Sequence, residues 1–194
     1  MSAPRVNFSG VPTLVADPDR AFVGILKQML RGMGFNHVTT VESGAAAQEL
    51  LAKRVFDFCI FEAVLPELSG AALVSWLRNQ PPPRRYTPII IFTGYSFKGN
   101  IASLRDAGAN IIVKKPASPA VLFDRIVWAA SGTRPFVEDA AYVGPTRRFK
   151  FAGLPGDVGR RSTDLPPQIG EAVEPNMSQE EIDALMRPTR ISAE

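Results

Sequence analysis

The sequence has very little cysteine and no long apolar run. Cys59 is the only cysteine among 194 residues, so no disulfide can form within one chain, which suits a reducing compartment. No stretch approaches the ~18 apolar residues of a membrane-spanning helix, and the opening MSAPRVNFSG lacks the apolar core of a secretory signal peptide. We therefore expect a soluble, cytoplasmic protein that makes no membrane contact.

A strong net charge is also missing, but the charge that is present is unevenly distributed. The net charge is +3. Residues 1–131 carry 14 basic and 9 acidic groups, residues 132–161 carry 6 and 3, and residues 162–194 carry 2 and 7. The chain is thus a mildly basic body with a basic connector and an acidic end. Binding to DNA is disfavoured, because the acidic end would repel the phosphate backbone.

Short apolar runs alternate with amphipathic helical stretches between Val11 and Ala130. Continuous apolar runs are typical of parallel strands that are covered on both faces, and the segments between them place apolar residues at helical spacing. The pattern predicts an α/β fold of the (βα)5 type, a doubly wound, parallel, five-stranded sheet. The predicted strands are 13–16, 37–41, 57–61, 88–92 and 110–114.

The alternating pattern stops after Gly132, where proline, glycine and charged residues dominate. We predict a leader over residues 1–10, a domain over 11–131 and a largely irregular, basic Pro/Gly/Arg-rich linker over 132–170. An acidic tail over 171–194 contains a short amphipathic helix at 178–186.

Four polar residues follow predicted strands directly. Asp17 follows the first strand, Glu62 the third, Thr93 the fourth and Lys115 the fifth. Ligands of open α/β sheets bind outside the carboxyl ends of the strands, because loops and helix N-termini converge there. These residues, with Asp19 as a further acid, are the predicted pocket.

This arrangement, with the stretches TLVAD, FExxLPxLSG, PIIIFTG and VKKP, resembles the receiver domain of two-component response regulators, especially the single-domain chemotaxis type. The resemblance covers about residues 11–131 and implies a flavodoxin-like fold and histidine kinase partners. It implies that Glu62 occupies the phosphoacceptor position and that Thr93 and Lys115 occupy the positions that contact the phosphoryl group. It also implies a magnesium ion held by acidic residues such as Asp17, and a bond before Pro116 that is usually cis.

Three positions depart from the family pattern. Glu62 replaces the phosphorylated aspartate, and its extra methylene displaces the carboxylate by roughly 1.5 Å, whereas in-line phosphoryl transfer depends on finer positioning. Pro18 replaces the second acid, so a site made of Asp17, Asp19 and Glu62 should bind Mg²⁺ weakly, if at all. Ile112 stands where signalling receivers often carry an aromatic switch residue.

These departures leave three interpretations of the pocket. Glu62 could supply a permanent negative charge that reaches Thr93 and Lys115, which would make phosphorylation unnecessary. The pocket could instead be a site that has lost its phosphoryl-transfer function, in which Glu62 points into water. In the third interpretation, residual phosphorylation persists.

The basic connector repeats a short order of residues in YVGPTRR and FAGLPGDVGRR: an aromatic residue, a glycine, a proline and paired arginines. Arginine forks can bind guanine edges and phosphate, and aromatic rings can stack on bases. The segment resembles the arginine-rich extension of chemotaxis-type receivers that bind cyclic di-GMP; a solvated linker is the alternative. The candidate nucleotide-binding residues are Tyr142, Arg147, Arg148, Phe151, Arg160 and Arg161.

The tail contains the sequence MSQEEIDALM, in which Ser178 and Glu181 form a capping box. Ile182, Leu185 and Met186 form one apolar stripe on a helix that is too short to be stable alone, so the stripe predicts a partner groove. The stretch resembles the amino-terminal peptide of the flagellar switch protein FliM, which activated chemotaxis receivers bind. It could dock on its own domain, recruit another receiver, or be a frayed helix with no partner.

Together these features predict a non-enzymatic signalling adaptor that needs no cofactor. Its expected partners are a histidine kinase, a flagellar or chemotaxis component, or another receiver. A phosphorylatable receiver that uses Mg²⁺ and a cyclic di-GMP effector are the alternative hypotheses.

Overall fold

The computed structural model describes residues 7–94, 98–130, 135–139 and 142–146 of the chain. Five β-strands alternate with five α-helices through residue 130, and a short 3-10 helix, Arg84–Tyr86, precedes the fourth strand. The strands are β1 Thr13–Ala16, β2 Val38–Val41, β3 Phe58–Phe61, β4 Ile89–Thr93 and β5 Ile111–Lys114. The helices are α1 Arg20–Gly32, α2 Gly44–Lys53, α3 Gly70–Arg78, α4 Lys98–Asp106 and α5 Pro119–Ala130.

The five strands form one parallel sheet in the order β2-β1-β3-β4-β5. This confirms the predicted doubly wound (βα)5 fold; most strands begin one residue later than predicted. β1 and β3 are adjacent and in register, with Ala16 opposite Phe61. The residues that follow these two strands are therefore brought side by side at the carboxyl edge of the sheet.

Both faces of the sheet are buried, which explains why the strands are continuously apolar. Leu14 and Cys59 belong to the core on one face, where α2 and α3 also contribute. Val15 and Ile60 belong to the core on the other face, with α1 and α5. Burial raises the pKa of the Cys59 thiol far above its usual range, so this cysteine acts as a small core residue.

The N-terminal part of the chain packs more closely than the predicted leader over residues 1–10 implied. Phe8 is buried and stacks on Phe35 with ring centres 4.3 Å apart. It also contacts the edge of Phe123 on α5. The packing of the domain therefore begins before residue 11, whereas residues 1–6 lie outside the described part.

Two short strands follow α5 within the segment that was predicted to be linker. Strand β6, Phe136–Glu138, pairs in antiparallel fashion with β7, Val143–Pro145. We call residues 135–139 and 142–146 the hairpin segment. Glu138 Oε2 accepts a hydrogen bond from Arg85 Nη1 at 2.9 Å, and the Tyr86 hydroxyl donates to Glu138 Oε1 at 2.5 Å. The segment is thus attached to the domain at the amino-terminal end of β4.

The rest of the predicted linker, the acidic tail and the predicted helix at 178–186 lie outside the described residues. Within the described part, no helix has the length and apolar character required to cross a membrane.

Candidate functional site

Asp17, Glu62, Thr93 and Lys115 all lie at the carboxyl edge of the sheet, as predicted. Each follows or ends a strand of the parallel sheet. Thr93 is buried at the end of β4, and its carbonyl accepts a hydrogen bond from the Lys115 amide at 2.8 Å. The Lys115–Pro116 peptide bond is cis, which agrees with the expectation from the resemblance.

The centre of the site is an ion cluster formed by Lys115 and two carboxylates, which we call the Lys115 cluster. The ammonium nitrogen of Lys115 lies 2.5 Å from Asp17 Oδ2 and 2.7 Å from Glu62 Oε2. The side chains of Lys115, Asp17 and Glu62 are only 15%, 4% and 9% exposed. Because water is largely excluded, these contacts are stronger than surface ion pairs.

The other carboxylate oxygens of the cluster also have donors. Asp17 Oδ1 accepts from the Asp19 amide at 2.9 Å. Glu62 Oε1 accepts from the amide of Ala63 at 2.7 Å and has a longer contact of 3.4 Å with the amide of Val64. The two acids are therefore fixed both by the ammonium and by the backbone that follows each strand. Glu62 points inward, not into water.

An aromatic wall completes the environment of Lys115. The ammonium nitrogen is 4.0 Å from the ring centre of Phe22 and 5.8 Å from that of Phe92. The two rings meet edge to face, 5.2 Å apart. Cations are attracted to aromatic ring faces at such distances. The sequence prediction missed Phe22, although its place in the first turn of α1, directly after β1, could have indicated that it faces the pocket.

The loop from Glu62 to Gly70 is held tightly against the site. The Gly70 amide donates to the Ala63 carbonyl at 3.0 Å, and a Cβ atom on Gly70 would lie 2.4 Å from the Glu62 carbonyl oxygen. The loop also receives a hydrogen bond from the Gly44 amide to the Pro66 carbonyl at 3.1 Å. Because Gly70 has no side chain, α3 can begin in contact with the backbone of Glu62.

Two further positions have roles that the sequence did not reveal. Asp19, predicted to be a pocket acid, uses Oδ1 to accept a hydrogen bond from the Phe22 amide at 3.0 Å and caps α1. The Asp19 carboxylate therefore bonds to the first turn of α1, because Asp19 is the N-cap residue of that helix. Ile112 is half-buried and packs against the core cluster that contains Leu104 of α4, on the same face of the sheet as α2 and α3.

These residues do not suit a magnesium ion. Mg²⁺ requires near-octahedral oxygen ligands, but the oxygens of Asp17 and Glu62 are already bonded to Lys115 and to backbone amides. Pro18 supplies no side-chain oxygen, and Asp19 caps α1. Within the described ranges, no group of three or more His, Cys, Asp or Glu residues could hold a metal ion.

Of the predicted nucleotide-binding residues, only Tyr142 lies within the described part. Its hydroxyl donates to the Pro145 carbonyl at 2.7 Å, and its amide donates to Asp139 Oδ1 at 2.8 Å. It therefore shapes the hairpin segment. The other predicted nucleotide residues, and the residues of the tail helix, lie outside the described residues: Arg147, Arg148, Phe151, Arg160 and Arg161, with Ser178, Glu181, Ile182, Leu185 and Met186.

A second polar cluster, centred on Arg78, lies at the opposite end of the sheet. Arg78 is 1% exposed. Burial lowers the pKa of Arg78 to about 10, which still leaves it charged at neutral pH. The sequence prediction missed this residue because it continues the apolar stripe of α3 in place of a hydrophobic side chain. Its guanidinium donates at 2.7–2.9 Å to the carbonyls of Arg85, Thr87 and Gly108 and to Asn110 Oδ1.

The comparisons with known proteins agree with this geometry. The sequence profile of the response regulator receiver domain matches residues 13–127. The chain is similar to the chemotaxis protein CheY-3 of Vibrio cholerae, with 26% identity over 113 residues, 58% of this chain and 86% of that protein. It is also similar to the polar-differentiation response regulator DivK of Brucella ovis, with 24% identity over 105 residues, 54% of this chain and 84% of that protein.

The chain is also similar to solved structures that share the fold and a quarter or more of the aligned residues, including the following two. One is a receiver domain of a sensor histidine kinase from Pseudomonas aeruginosa with a magnesium ion in its active-site cleft. Its TM-score is 0.58 at 25% identity, covering 63% of this chain and 98% of that one. The other is a putative response regulator from Chloroflexus aurantiacus, with a TM-score of 0.58 at 27% identity, covering 62% of this chain and 98% of that one.

Proposed function

Because the chain belongs to the response regulator receiver family through residues 13–127, we propose that it is a pseudo-receiver, which acts by binding other proteins and not as an enzyme or by phosphoryl transfer. The observation that carries this proposal is the Lys115 cluster. The carboxylate of Glu62 at the phosphoacceptor position is already paired, 2.7 Å from the Lys115 ammonium. A carboxylate in this arrangement supplies negative charge at the carboxyl edge without a phosphoryl group.

The length of Glu62 supports the proposal in a second way. An attacking carboxylate must lie in line with the phosphodonor and within near-attack distance. Glu62 Oε2 is bonded to Lys115 and Oε1 to the Ala63 amide. Attack would require breaking one of these contacts in a largely buried site. The alternative, residual phosphorylation on Glu62 with Mg²⁺, therefore needs a rearrangement that an aspartate with its acidic companion would not need.

Acetyl phosphate provides a direct test with an internal control. We expect the full chain to show no phosphate adduct by intact mass spectrometry after incubation with acetyl phosphate and Mg²⁺. The variant with Pro18→Asp and Glu62→Asp restores both acids of the family pattern and should gain an adduct under the same conditions. An adduct on Glu62 of the unmodified chain, formed as fast as in the variant, would overturn the proposal.

The setting that we propose is chemotaxis or flagellar motility. CheY-3 of Vibrio cholerae is a chemotaxis protein, and the tail sequence MSQEEIDALM resembles the FliM peptide. The tail would compete with a motor peptide for the receiver or recruit a second receiver. Its linker is long enough to give an appreciable effective concentration. Deleting residues 171–194 should increase the affinity for a FliM-derived peptide in fluorescence anisotropy, whereas unchanged affinity would argue against competition within the molecule.

Cyclic di-GMP is a second proposed ligand, supported by the arginine and aromatic repeat of the connector. Of the repeat, the hairpin segment holds Tyr142, whose hydroxyl is engaged with Pro145. The rings of Tyr142 and Phe151 would stack on the bases, and Arg147, Arg148, Arg160 and Arg161 would bind guanine edges and phosphate. Calorimetry with cyclic di-GMP should give heat that is lost when Arg147 and Arg148 are both replaced by alanine. If the unmodified chain gives no heat at high micromolar ligand, this ligand is excluded.

A further inference from the structure

The carboxyl edge holds two buried acids, and buried carboxylates are stable only when a cation or strong donors compensate them. We infer that Lys115 is the permanent resident cation of this cleft, and that it closes the cleft to divalent metal ions. This inference deepens the proposed function and rests on it. It concerns what the cleft binds and not whether a phosphoryl group is transferred.

The first argument is the charge of the cluster. Asp17 and Glu62 supply two negative charges, and Lys115 contacts both at 2.5 and 2.7 Å. A divalent ion between the same two carboxylates would meet the ammonium within a few ångströms, and like charges at that separation repel strongly where water is excluded. Binding of the ion therefore requires that Lys115 leave the cleft.

The second argument is the surroundings of the ammonium. The face of Phe22 lies 4.0 Å from the nitrogen on the side of α1. Asp19, at the start of the same helix, bonds to the Phe22 amide and so fixes the helix turn that carries the ring. Departure of Lys115 would remove two charge-assisted hydrogen bonds and the cation–π contacts with Phe22 and Phe92 together.

The third argument is the reach of Glu62. Glu62 Oε1 accepts a hydrogen bond from the Ala63 amide, and Glu62 Oε2 accepts one from the Lys115 ammonium. With one methylene fewer, the carboxylate would lie roughly 1.5 Å further from the ammonium. Glu62 is therefore long enough to contact the Lys115 ammonium while its other oxygen stays bonded to the backbone, and Pro18 supplies no side-chain oxygen for a metal.

The experiment compares metal binding by the full chain and by Lys115→Met, which keeps an unbranched side chain but removes the charge. Mg²⁺ is titrated while the NMR amide signals of Asp19 and Ala63 are followed, because these amides donate to the two acids. We expect no saturable shift in the unmodified chain up to about 20 mM Mg²⁺. We expect Lys115→Met to bind at least about tenfold more tightly, because the competing positive charge is gone. Arg105→Met, at a half-exposed side chain on α4, is the matched control and should behave like the unmodified chain.

Metal titration of the unmodified chain can decide the inference if Lys115→Met does not fold. The ammonium signal of Lys115, identified by its loss in Lys115→Arg, should be protected from exchange with water and unchanged by Mg²⁺. Saturable Mg²⁺ binding at Asp19 and Ala63 in the unmodified chain, with release of that ammonium signal, would overturn the inference. If this happens without a phosphate adduct on Glu62, the pseudo-receiver proposal still stands. An adduct on Glu62 formed as fast as in the variant with Pro18→Asp and Glu62→Asp would instead remove that proposal.

Discussion

The guanidinium carbon of Arg78 lies 5.3 Å from the ring centre of Phe136, so a residue beyond the five βα units contacts a buried charge of the domain. Arg78 spans the amino-terminal ends of β4 and β5 through its hydrogen bonds to Thr87 and Gly108. The hairpin segment contacts this end of the sheet. The Lys115 cluster and the hairpin segment therefore lie at opposite ends of the same strands.

Replacing Arg78 should destabilise the domain strongly. Arg78→Met keeps much of the volume but leaves buried carbonyls without donors, so the free energy of unfolding should fall by about 2–5 kcal/mol. Urea unfolding followed by circular dichroism measures the change. Arg105→Met, at a half-exposed side chain on α4, should change stability by less than about 0.5 kcal/mol. Equal losses in the two variants would contradict the structural role of Arg78.

Phe136 should hold the hairpin segment on the domain. Its ring contacts Tyr86 edge to face, with centres 5.0 Å apart, as well as Arg78. Phe136→Ala should lower the free energy of unfolding by about 1–2 kcal/mol and speed hydrogen exchange in β7. The control is Val137→Ala in the same strand, since successive residues point to opposite faces. A similar loss of protection in both variants would show that the aromatic contacts do not hold the segment.

Attachment of the hairpin segment should depend on pH through Glu138. The hydrogen bond from Tyr86, and then the charge of Arg85, lower the pKa of Glu138 below its usual value of 4.5. A carboxyl whose pKa is lowered by folding adds stability above the unfolded value and loses it as the pH falls through the folded value. Protection of β6 and β7 from hydrogen exchange should therefore be constant above about pH 5 and fall below about pH 4.

Glu138→Gln supplies the control for this pH dependence. The variant should show weaker protection in the hairpin segment at neutral pH and little further change on acidification. If the unmodified chain and the variant lose protection in parallel as the pH falls, other carboxyl groups are responsible.

Asp19 offers a test of its role as a helix cap. Asn is also a good N-cap residue, so Asp19→Asn should be close to neutral, whereas Asp19→Ala should destabilise the domain by about 0.5–2 kcal/mol. Thermal unfolding measures both. We also expect the Lys115 ammonium signal to be unchanged in Asp19→Asn. A shift of that signal in Asp19→Asn would instead show that the charge of Asp19 acts in the pocket.

Gly70 should be intolerant of a side chain because of its contact with Glu62. The Cβ atom of Gly70→Ala would lie 2.4 Å from the Glu62 carbonyl oxygen, so the loop must shift, at a cost of about 1–3 kcal/mol. The NMR amide signals of Ala63 and Val64 should move. Gly24→Ala on α1 meets no atom within 4 Å and should stabilise the helix by about 0.5–1 kcal/mol. Equal tolerance at both positions would contradict the close loop packing.

The sequence predicted the sheet and the residues at its carboxyl edge because both depend on local patterns. Continuous apolar runs such as 57–61 occur where a strand is covered on both faces, and parallel strands necessarily bring the residues that follow them to one edge. Asp17, Glu62, Thr93 and Lys115 were therefore found by counting from strand ends. Side-chain directions are not set by this counting, so the counting could not show that the Asp19 carboxylate caps α1.

By itself, the sequence determined the alternation of strands and helices, the fold and the four polar positions at the strand ends, since hydrophobic periodicity and strand-end position are local properties. Only the tertiary structure decided that Lys115 joins Asp17 to Glu62, that Phe22 covers the ammonium, and that Arg78 is buried beneath Phe136. Each of these contacts joins residues that are far apart in the chain. Their partners are chosen by packing and by the need to pair buried charge, which no local pattern records.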